Sequence, residues 1–191
     1  MSNKGRLIVV SGPSGVGKGT VLKEAFQRSD RPLVVSVSAT TRPPRSGEVD
    51  GVHYWFLSKE EFQKKIDNGE FLEYFEVFSS GHFYGTLKST VLEKLNAGFW
   101  VVLEIDVQGA GKVREIFPEA ITVFIEPENK DVLRERLSKR GTESDEIMQD
   151  RLRRATEELK HAGEYDHRIV NADLEGAVRT FVNILKMKNE R

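Results

Sequence analysis

GPSGVGKGT, residues Gly12 to Thr20, follows the apolar run LIVV (Leu7 to Val10) and leads into a segment, Val16 to Arg28, that reads as a helix. Strand, glycine loop and helix in that order form the setting that a GxxxxGK phosphate loop requires. The glycines let backbone amides turn inward and approach phosphate oxygens, and the lysine places a point charge on the β and γ phosphates. Gly12, Gly15, Gly17 and Lys18 supply these parts, with Pro13, Ser14 and Val16 filling the loop. Gly19 stands where such loops usually carry a serine or threonine that holds magnesium, so the cradle is intact and the metal contact is in question. Either Thr20 supplies the oxygen, or magnesium is held by phosphate oxygens and waters with acids from elsewhere, since this ion dehydrates reluctantly.

The rest of the chain repeats the opening rhythm. LVVSVS (Leu33 to Ser38), FWVVLEID (Phe99 to Asp106), ITVFI (Ile121 to Ile125) and HRIVN (His167 to Asn171) read as strands. Helical patterns fall at Ser89 to Asn96, Gly109 to Ile116 and Lys130 to Lys139, in a long helix striped by Met148, Leu152, Ala155 and Leu159, and in a terminal helix with Ala177, Val178, Phe181, Val182 and Leu185. Alternating strands and helices predict an α/β fold, an open parallel sheet flanked by helices. Residues 36–86 break the rhythm. ATTRPPRSGEVDG forbids regular structure, HYWFL (His53 to Leu57) is strand-like, Ser58 and Glu61 form a capping box before a helix with Phe62 and Ile66 on one face, EFLEYFEVF (Glu70 to Phe78) reads as a strand, and SSGHFYG turns. The expected division is a core over about 1–35, 87–126 and 162–191, an insertion over about 36–86, and a small helical lid over about 127–161.

Composition sets limits. The 191 residues suffice for one domain with a real core. Twenty-nine basic and thirty acidic side chains leave a net charge of -1, so no whole-protein attraction to nucleic acid or anionic membrane is expected, and any anion site is local. The absence of cysteine removes disulfides, thiolate metal sites and cysteine nucleophiles. No stretch approaches the roughly 18 apolar residues of a membrane span, and a soluble cytoplasmic protein is the expectation.

Three constellations accompany the loop. Glu104 and Asp106 lie two apart at the carboxyl end of a predicted strand, which puts both on one face where open α/β sheets place ligands; the alternative is an acid that caps the next helix. Arg42 and Arg45 flank two prolines, whose stiffness lets two guanidinium forks converge on one phosphate, unless the loop is simply solvated. Tyr54 and Tyr84 could add hydroxyl donors there or belong to the core. Glu73, among Phe71, Leu72, Tyr74 and Phe75, is costly to bury without donors. A guanine edge offers two, N1–H and the exocyclic amine, and adenine neither; an outward-facing acid on an alternating strand is the competing reading.

These residues closely resemble the bacterial guanylate kinases, a family of P-loop nucleoside monophosphate kinases. The likeness runs through SGPSGVGKGT, SVSATTRPPRSGEVDGVHYWF, GEFLEYFEVF, FYGT, LEIDVQGA, the RGTE turn and YDHRIVN, in this order. It implies ATP and GMP as substrates, ADP and GDP as products, magnesium as cofactor, and a core flanked by a GMP-binding insertion and a lid. Arg42, Arg45, Tyr54 and Tyr84 look like the clamp on the GMP phosphate. Ser38, Glu73 and Thr86 look like the guanine readers, the hydroxyls donating to O6. Asp106 matches an acid near the metal and GMP, whereas Glu104 stands where relatives often have aspartate. Arg136, Arg140 and Arg151 resemble lid arginines that close on the transferring phosphates, and Asn171 resembles a residue beside the adenine. FSSGHFYG is a couple of residues longer than the family's usual connection, which bears on the register of Phe83 and Tyr84.

The expected chemistry is direct in-line transfer with no protein nucleophile and no general base, because the acceptor oxygen is already anionic. Lys18, Arg42, Arg140, Arg151 and magnesium stabilise the moving group while closure excludes water. Two rivals remain on sequence: a kinase for another nucleoside monophosphate, and a catalytically silent module whose arginine pair binds a phosphopeptide. The sequence leaves the oligomeric state undetermined.

Overall fold

The computed structural model describes residues 5–77, 81–138 and 145–187. Strand β1 (Leu7–Ser11) is buried along its whole length, and its alternation divides the core. Ile8 and Val10 face one side and Leu7 and Val9 the other. The first side is covered by helices α1 (Lys18–Arg28) and, at the chain's end, α7 (Leu174–Lys186). The second takes Val91 of α3 (Lys88–Asn96) and Ala110 and Val113 of α4 (Val107–Ile116). A strand covered on both faces reads as a continuous apolar run, which is why LIVV carried no polar alternation.

β1 is the middle strand of a five-stranded parallel sheet, ordered β2 (Leu33–Val35), β7 (Trp100–Glu104), β1, β8 (Ile121–Glu126), β9 (His167–Val170). A second, four-stranded sheet follows the order β4 (Trp55–Phe56), β3 (Ala39–Thr40), β6 (His82–Leu87), β5 (Phe71–Val77). It has its own small core, where Phe62 of α2 (Lys59–Asp67) stacks on Phe71 at 4.4 Å and meets Phe83 at 5.5 Å. A further cluster joins Leu133 of α5 (Lys130–Ser138) to Met148, Leu152 and Ala155 of α6 (Asp145–Lys160). None of the helices among the described residues is long and apolar enough to cross a membrane.

Four local expectations are corrected. The first helix starts at Lys18 rather than Val16, because Gly17 sits at φ 97 in the left-handed region as its N-cap. β2 ends at Val35, since the chain leaves the parallel sheet after the Ser36 amide bonds the Val102 carbonyl. Ala39–Thr40 is a strand, pairing with β4 on one side and β6 on the other. SSGHFYG is not a turn throughout: His82–Leu87 pairs antiparallel with β5, and Gly85 is required there because a Cβ would come within 2.9 Å of Glu73 O, Phe71 Cδ1 and Tyr74 Cβ. The capping box forms as expected, Ser58 Oγ accepting from the Glu61 amide and Glu61 Oε2 from the Ser58 amide.

Candidate active site

The phosphate loop connects β1 to α1 and bounds a cavity of about 400 Å³ lined by Ser14, Gly15, Gly17, Lys18, Gly19, Thr20 and Glu104. Gly12, at φ 147, lies so close to β8 that a Cβ would collide with the Ile125 carbonyl. The loop turns through Val16 N–H to the Pro13 carbonyl, and Lys18 Nζ donates to the carbonyls of Gly12 (2.6 Å) and Pro13 (3.2 Å). Lys18 is therefore folded back over its own loop, within reach of an anion bound there.

The far side of the loop is fixed by residues distant in sequence. Arg136 on α5 donates to the carbonyls of Val16 (3.0 Å) and Asn171 (3.2 Å). Asn171, 5% exposed, donates through Nδ2 to the same Val16 carbonyl at 2.8 Å and lies against Gly17. Both residues thus meet at the loop, and a side chain at Gly17 would displace Asn171. Arg151 is half-buried on α6, and Arg140 lies outside the described residues.

The acid pair separates. Glu104, the last residue of β7, is exposed and reaches the cavity, its Oε2 lying 3.9 Å from where a Cβ on Gly19 would stand. Asp106 has left the strand: it is the N-cap of α4 and accepts from the Gly109 amide at 2.7 Å. Strand alternation therefore does not relate the two, and the capping alternative describes Asp106. Thr20 and Glu104 bring a hydroxyl and a carboxylate to one cavity beside the loop, hard oxygen donors that suit a magnesium ion keeping most of its water. Among the described residues no three His, Asp or Glu side chains gather into a metal cage.

On the second sheet, Arg42 and Tyr84 come together: Arg42 Nε donates to the Tyr84 hydroxyl at 3.2 Å, and Tyr54 packs edge-on against Tyr84 at 5.9 Å with the Arg42 guanidinium 5.4 Å from its ring. Tyr84 rather than Phe83 occupies this place, Phe83 being turned into the Phe62 core. Burial pushes the Tyr54 hydroxyl up, and its hydrogen stays in place as a donor. Glu48, which sequence reasoning missed, takes the Arg42 fork in bidentate form at 2.9 Å on each arm and also accepts from the Arg45 amide at 2.7 Å. The hydrogen bonds from Arg42 and from the Arg45 backbone hold its carboxyl down at about 2. The Arg45 side chain is exposed. The signal for Glu48 was a carboxylate six residues after Arg42 and three after Arg45.

Glu73 is not outward-facing. It is 2% exposed, its Oε1 accepts from the Thr86 hydroxyl at 2.6 Å, and its Oε2 is buried without a partner. A bulge between Phe71 and Glu73 turns it off the regular alternation of β5. Burial pushes its carboxyl up to about 7, opposed by the Thr86 hydrogen bond and assisted by the nearby Asp106 charge. Thr86, 1% exposed, gives its only hydroxyl proton to Glu73, not to a base oxygen. Ser38 immediately precedes β3, its carbonyl accepting from Trp55 N–H at 2.9 Å.

A second missed acid is Glu158, in the last turn of α6. Its Oε2 is buried without a hydrogen-bond partner, and burial pushes its carboxyl up against the favourable charge of Lys18. Nothing in the charged run around it distinguishes this glutamate in sequence.

The family model for guanylate kinase matches residues 4–188. The chain is 47% identical over 192 residues to the guanylate kinase of Carboxydothermus hydrogenoformans, with 99% of this chain and 93% of that protein covered. It is 44% identical to that of Clostridioides difficile, covering 98% and 90%. The crystal structure of guanylate kinase from Anaplasma phagocytophilum superposes with a TM-score of 0.77 at 36% identity, over 97% of this chain and 88% of that one. A gluconokinase from Sinorhizobium meliloti, at 20% identity and a TM-score of 0.50 over 97% and 95%, shares the fold alone. With both sheets, the loop and nearly the whole length accounted for, the chain belongs to the guanylate kinase family.

Proposed function

We infer that this chain transfers the γ-phosphoryl group of ATP to the phosphate of GMP, giving ADP and GDP. The observation that carries the reading is Glu73, a buried carboxylate with one oxygen satisfied by Thr86 and the other without a donor. An unpaired buried acceptor costs about 1–3 kcal/mol, more when charged, and a ligand presenting N–H groups removes that cost. Guanine presents them on its N1 and N2 edge; adenine does not. On the same sheet Arg42, Tyr54 and Tyr84 offer a fork and hydroxyls to the GMP phosphate, with Arg45 joining from the exposed loop. Ser38 completes the base pocket by donating to O6.

The ATP side is the loop from Gly12 to Thr20, with Arg136 and Asn171 bordering the adenine and Arg140 and Arg151 closing on the transferring phosphates. Lys18 leaves its loop carbonyls for the β and γ phosphates, where its charge offsets the charge that builds during transfer. Thr20 and Glu104, with Asp106 through water, would hold magnesium, which would supply positive charge to the phosphate oxygens. The acceptor oxygen is already anionic, so alignment and charge are what the protein supplies. The division of labour follows the core, the GMP-binding insertion over about 36–86 and the lid over about 127–161.

A coupled ADP-release assay with GMP, AMP, CMP and UMP, with and without magnesium, tests the reading. Release with GMP that outruns AMP at least a hundredfold and requires magnesium is expected. No release with GMP overturns it, and equal rates with AMP remove the base reading from Glu73.

A further inference from the structure

The Arg42 guanidinium is largely occupied by its own surroundings, and the pattern of its contacts leaves one edge open. Among the described residues, four of its five N–H donors have acceptors: Nε donates to the Tyr84 hydroxyl, Nη1 to the Pro43 carbonyl (2.7 Å) and to Glu48 Oε2, and Nη2 to Glu48 Oε1. Glu48 therefore takes the end of the fork, one hydrogen from each terminal nitrogen. Because the group is planar, the hydrogen left on Nη2 points along the same edge as Nε–H, on the Tyr84 side. The Tyr84 hydroxyl accepts there and keeps its own hydrogen to give. That edge of Arg42 presents an N–H and an O–H side by side, a donor pair suited to two oxygens of a phosphate.

Glu48 can hold the fork because the turn that carries it is closed on Arg45. The Glu48 amide donates to the Arg45 carbonyl at 3.0 Å and Glu48 Oε2 accepts from the Arg45 amide at 2.7 Å, with Gly47 at φ 84 inside the turn. One carboxylate thus ties Arg42 by its side chain and Arg45 by its backbone, across the two prolines between them. The rings of Tyr54 and Phe56 lie 5.4 and 5.8 Å from the guanidinium carbon. Only 11% of the Arg42 side chain and 18% of the Glu48 side chain are exposed, so little water is at hand to take the fork in place of the carboxylate.

We propose that Glu48 is a positioning residue for the acceptor phosphate: it holds the end of the Arg42 fork and ties it to the Arg45 turn, so that the Nε and Nη2 edge, with the Tyr84 hydroxyl, faces the phosphate of GMP. The inference rests on the reading that this clamp receives the GMP phosphate. Carboxylate and phosphate do not compete, because they take different edges of one guanidinium. Held down at about 2, the Glu48 carboxyl stays ionised over the whole range in which a phosphate monoester exchanges its second proton. A glutamine in its place has one acceptor oxygen, and its NH2 group would meet an Arg42 N–H donor against donor, which turns the fork away from its present direction.

The test is steady-state kinetics of the full chain, with GMP varied at saturating ATP and ATP varied at saturating GMP, on E48Q, E48D, R42K and the double variant of E48Q with R42K, and with Tm measured on each. E48Q is expected to raise KM for GMP about tenfold, with kcat changed by less than about threefold and KM for ATP unaltered. E48D keeps both acceptor oxygens on a shorter arm and is expected to recover most of that loss. In the R42K background, where the fork is gone, E48Q is expected to add less than about twofold, since a residue that acts through Arg42 has nothing left to aim. The full effect on top of R42K, or a rise in KM for ATP in step with a fall in Tm, gives Glu48 a general structural role and overturns the inference. A KM for GMP that is unchanged or lower in E48Q also overturns it, the lower value meaning that the carboxylate competes with the phosphate for the fork. Each of these outcomes leaves the functional reading standing, whereas a wild-type chain that does not turn over GMP overturns both.

Discussion

Thr86 donates its hydroxyl proton to Glu73 across 2.6 Å, with both side chains at 2% exposure or less, and the second Glu73 oxygen faces no donor. A carboxylate so placed is held ready for a ligand, and it titrates where enzymes are assayed. Its carboxyl is pushed up to about 7, first by burial and then by Asp106, from the ordinary value of 4.5. In the unliganded protein the group therefore binds a proton that the unfolded chain has already lost. Its contribution to stability is full below about pH 4.5 and disappears as pH rises through about 7. GMP, by contrast, needs the ionised form. Its affinity is expected to rise between about pH 6 and 8, and titration calorimetry across that range checks the slope. The GMP phosphate itself titrates at about 6, so the control is Glu73→Gln, which keeps the phosphate's share of the slope and loses the rest. The same variant is expected to lose about a hundredfold in kcat/KM for GMP and little for AMP; parallel pH profiles in the two proteins would remove Glu73 from base recognition.

Arg42 is held by Glu48 on two arms and by Tyr84 on the third nitrogen, a fork that an ammonium cannot reproduce. Arg42→Lys keeps the charge and loses the geometry. Its KM for GMP is expected to rise about tenfold to a hundredfold, with ATP binding unchanged. Steady-state kinetics with GMP varied at saturating ATP separates the two, and an unaltered KM would place the GMP phosphate elsewhere.

How far the sequence exposed the molecule follows the range of the interactions involved. The phosphate loop, β1, the capping box at Ser58 and the terminal helix are written in residues a few positions apart, and all were legible. The second sheet was legible only in part: β4 and β5 fall within stretches that read as strands, but β6 is a strand only through β5, and Gly85, read as a turn glycine, is there to let β5 pass. The candidate site divides in the same way. Lys18 and Glu73 stand out by type, a lysine after glycines and an acid among aromatics. Glu158 is buried at its Oε2, yet within its own charged helix it looks like any solvated acid. The Glu104 and Asp106 pair misled because strand spacing was carried two residues beyond where β7 ends.

Two glycines of the loop are predicted to answer substitution in opposite ways. Gly12 is at φ 147 with the Ile125 carbonyl in the space of a Cβ, so Gly12→Ala strains the backbone and pushes β8 away. The expected cost is about 3 kcal/mol, roughly 6–12 °C in Tm. Gly19 has an ordinary φ, and the nearest atom to its Cβ would be Glu104 Oε2 at 3.9 Å. Gly19→Ala is expected to change Tm by no more than about 2 °C. Thermal melts of the two variants side by side check the contrast, and equal losses would mean that the loop is held differently.

With no hydroxyl at Gly19, Thr20 and Glu104 bring a hydroxyl and a carboxylate to the lining of the phosphate cavity, while Asp106 is engaged as a helix cap. Removing each should therefore be read on a different instrument. Glu104→Gln is expected to raise the magnesium concentration for half-maximal activity by about tenfold, with Tm unchanged, because the carboxylate is exposed and caps nothing. Asp106→Asn keeps an oxygen for the Gly109 amide and tests charge, whereas Asp106→Ala also uncaps α4 and is expected to cost about 1 kcal/mol in stability. Thr20→Val separates the remaining alternatives for the metal. A tenfold shift in its magnesium curve identifies the hydroxyl as a ligand in place of the missing one at Gly19, and a curve superimposed on wild type assigns the ion to phosphate oxygens, water and Glu104. If the curves of Thr20→Val and Glu104→Gln both superimpose on wild type, neither residue holds the metal.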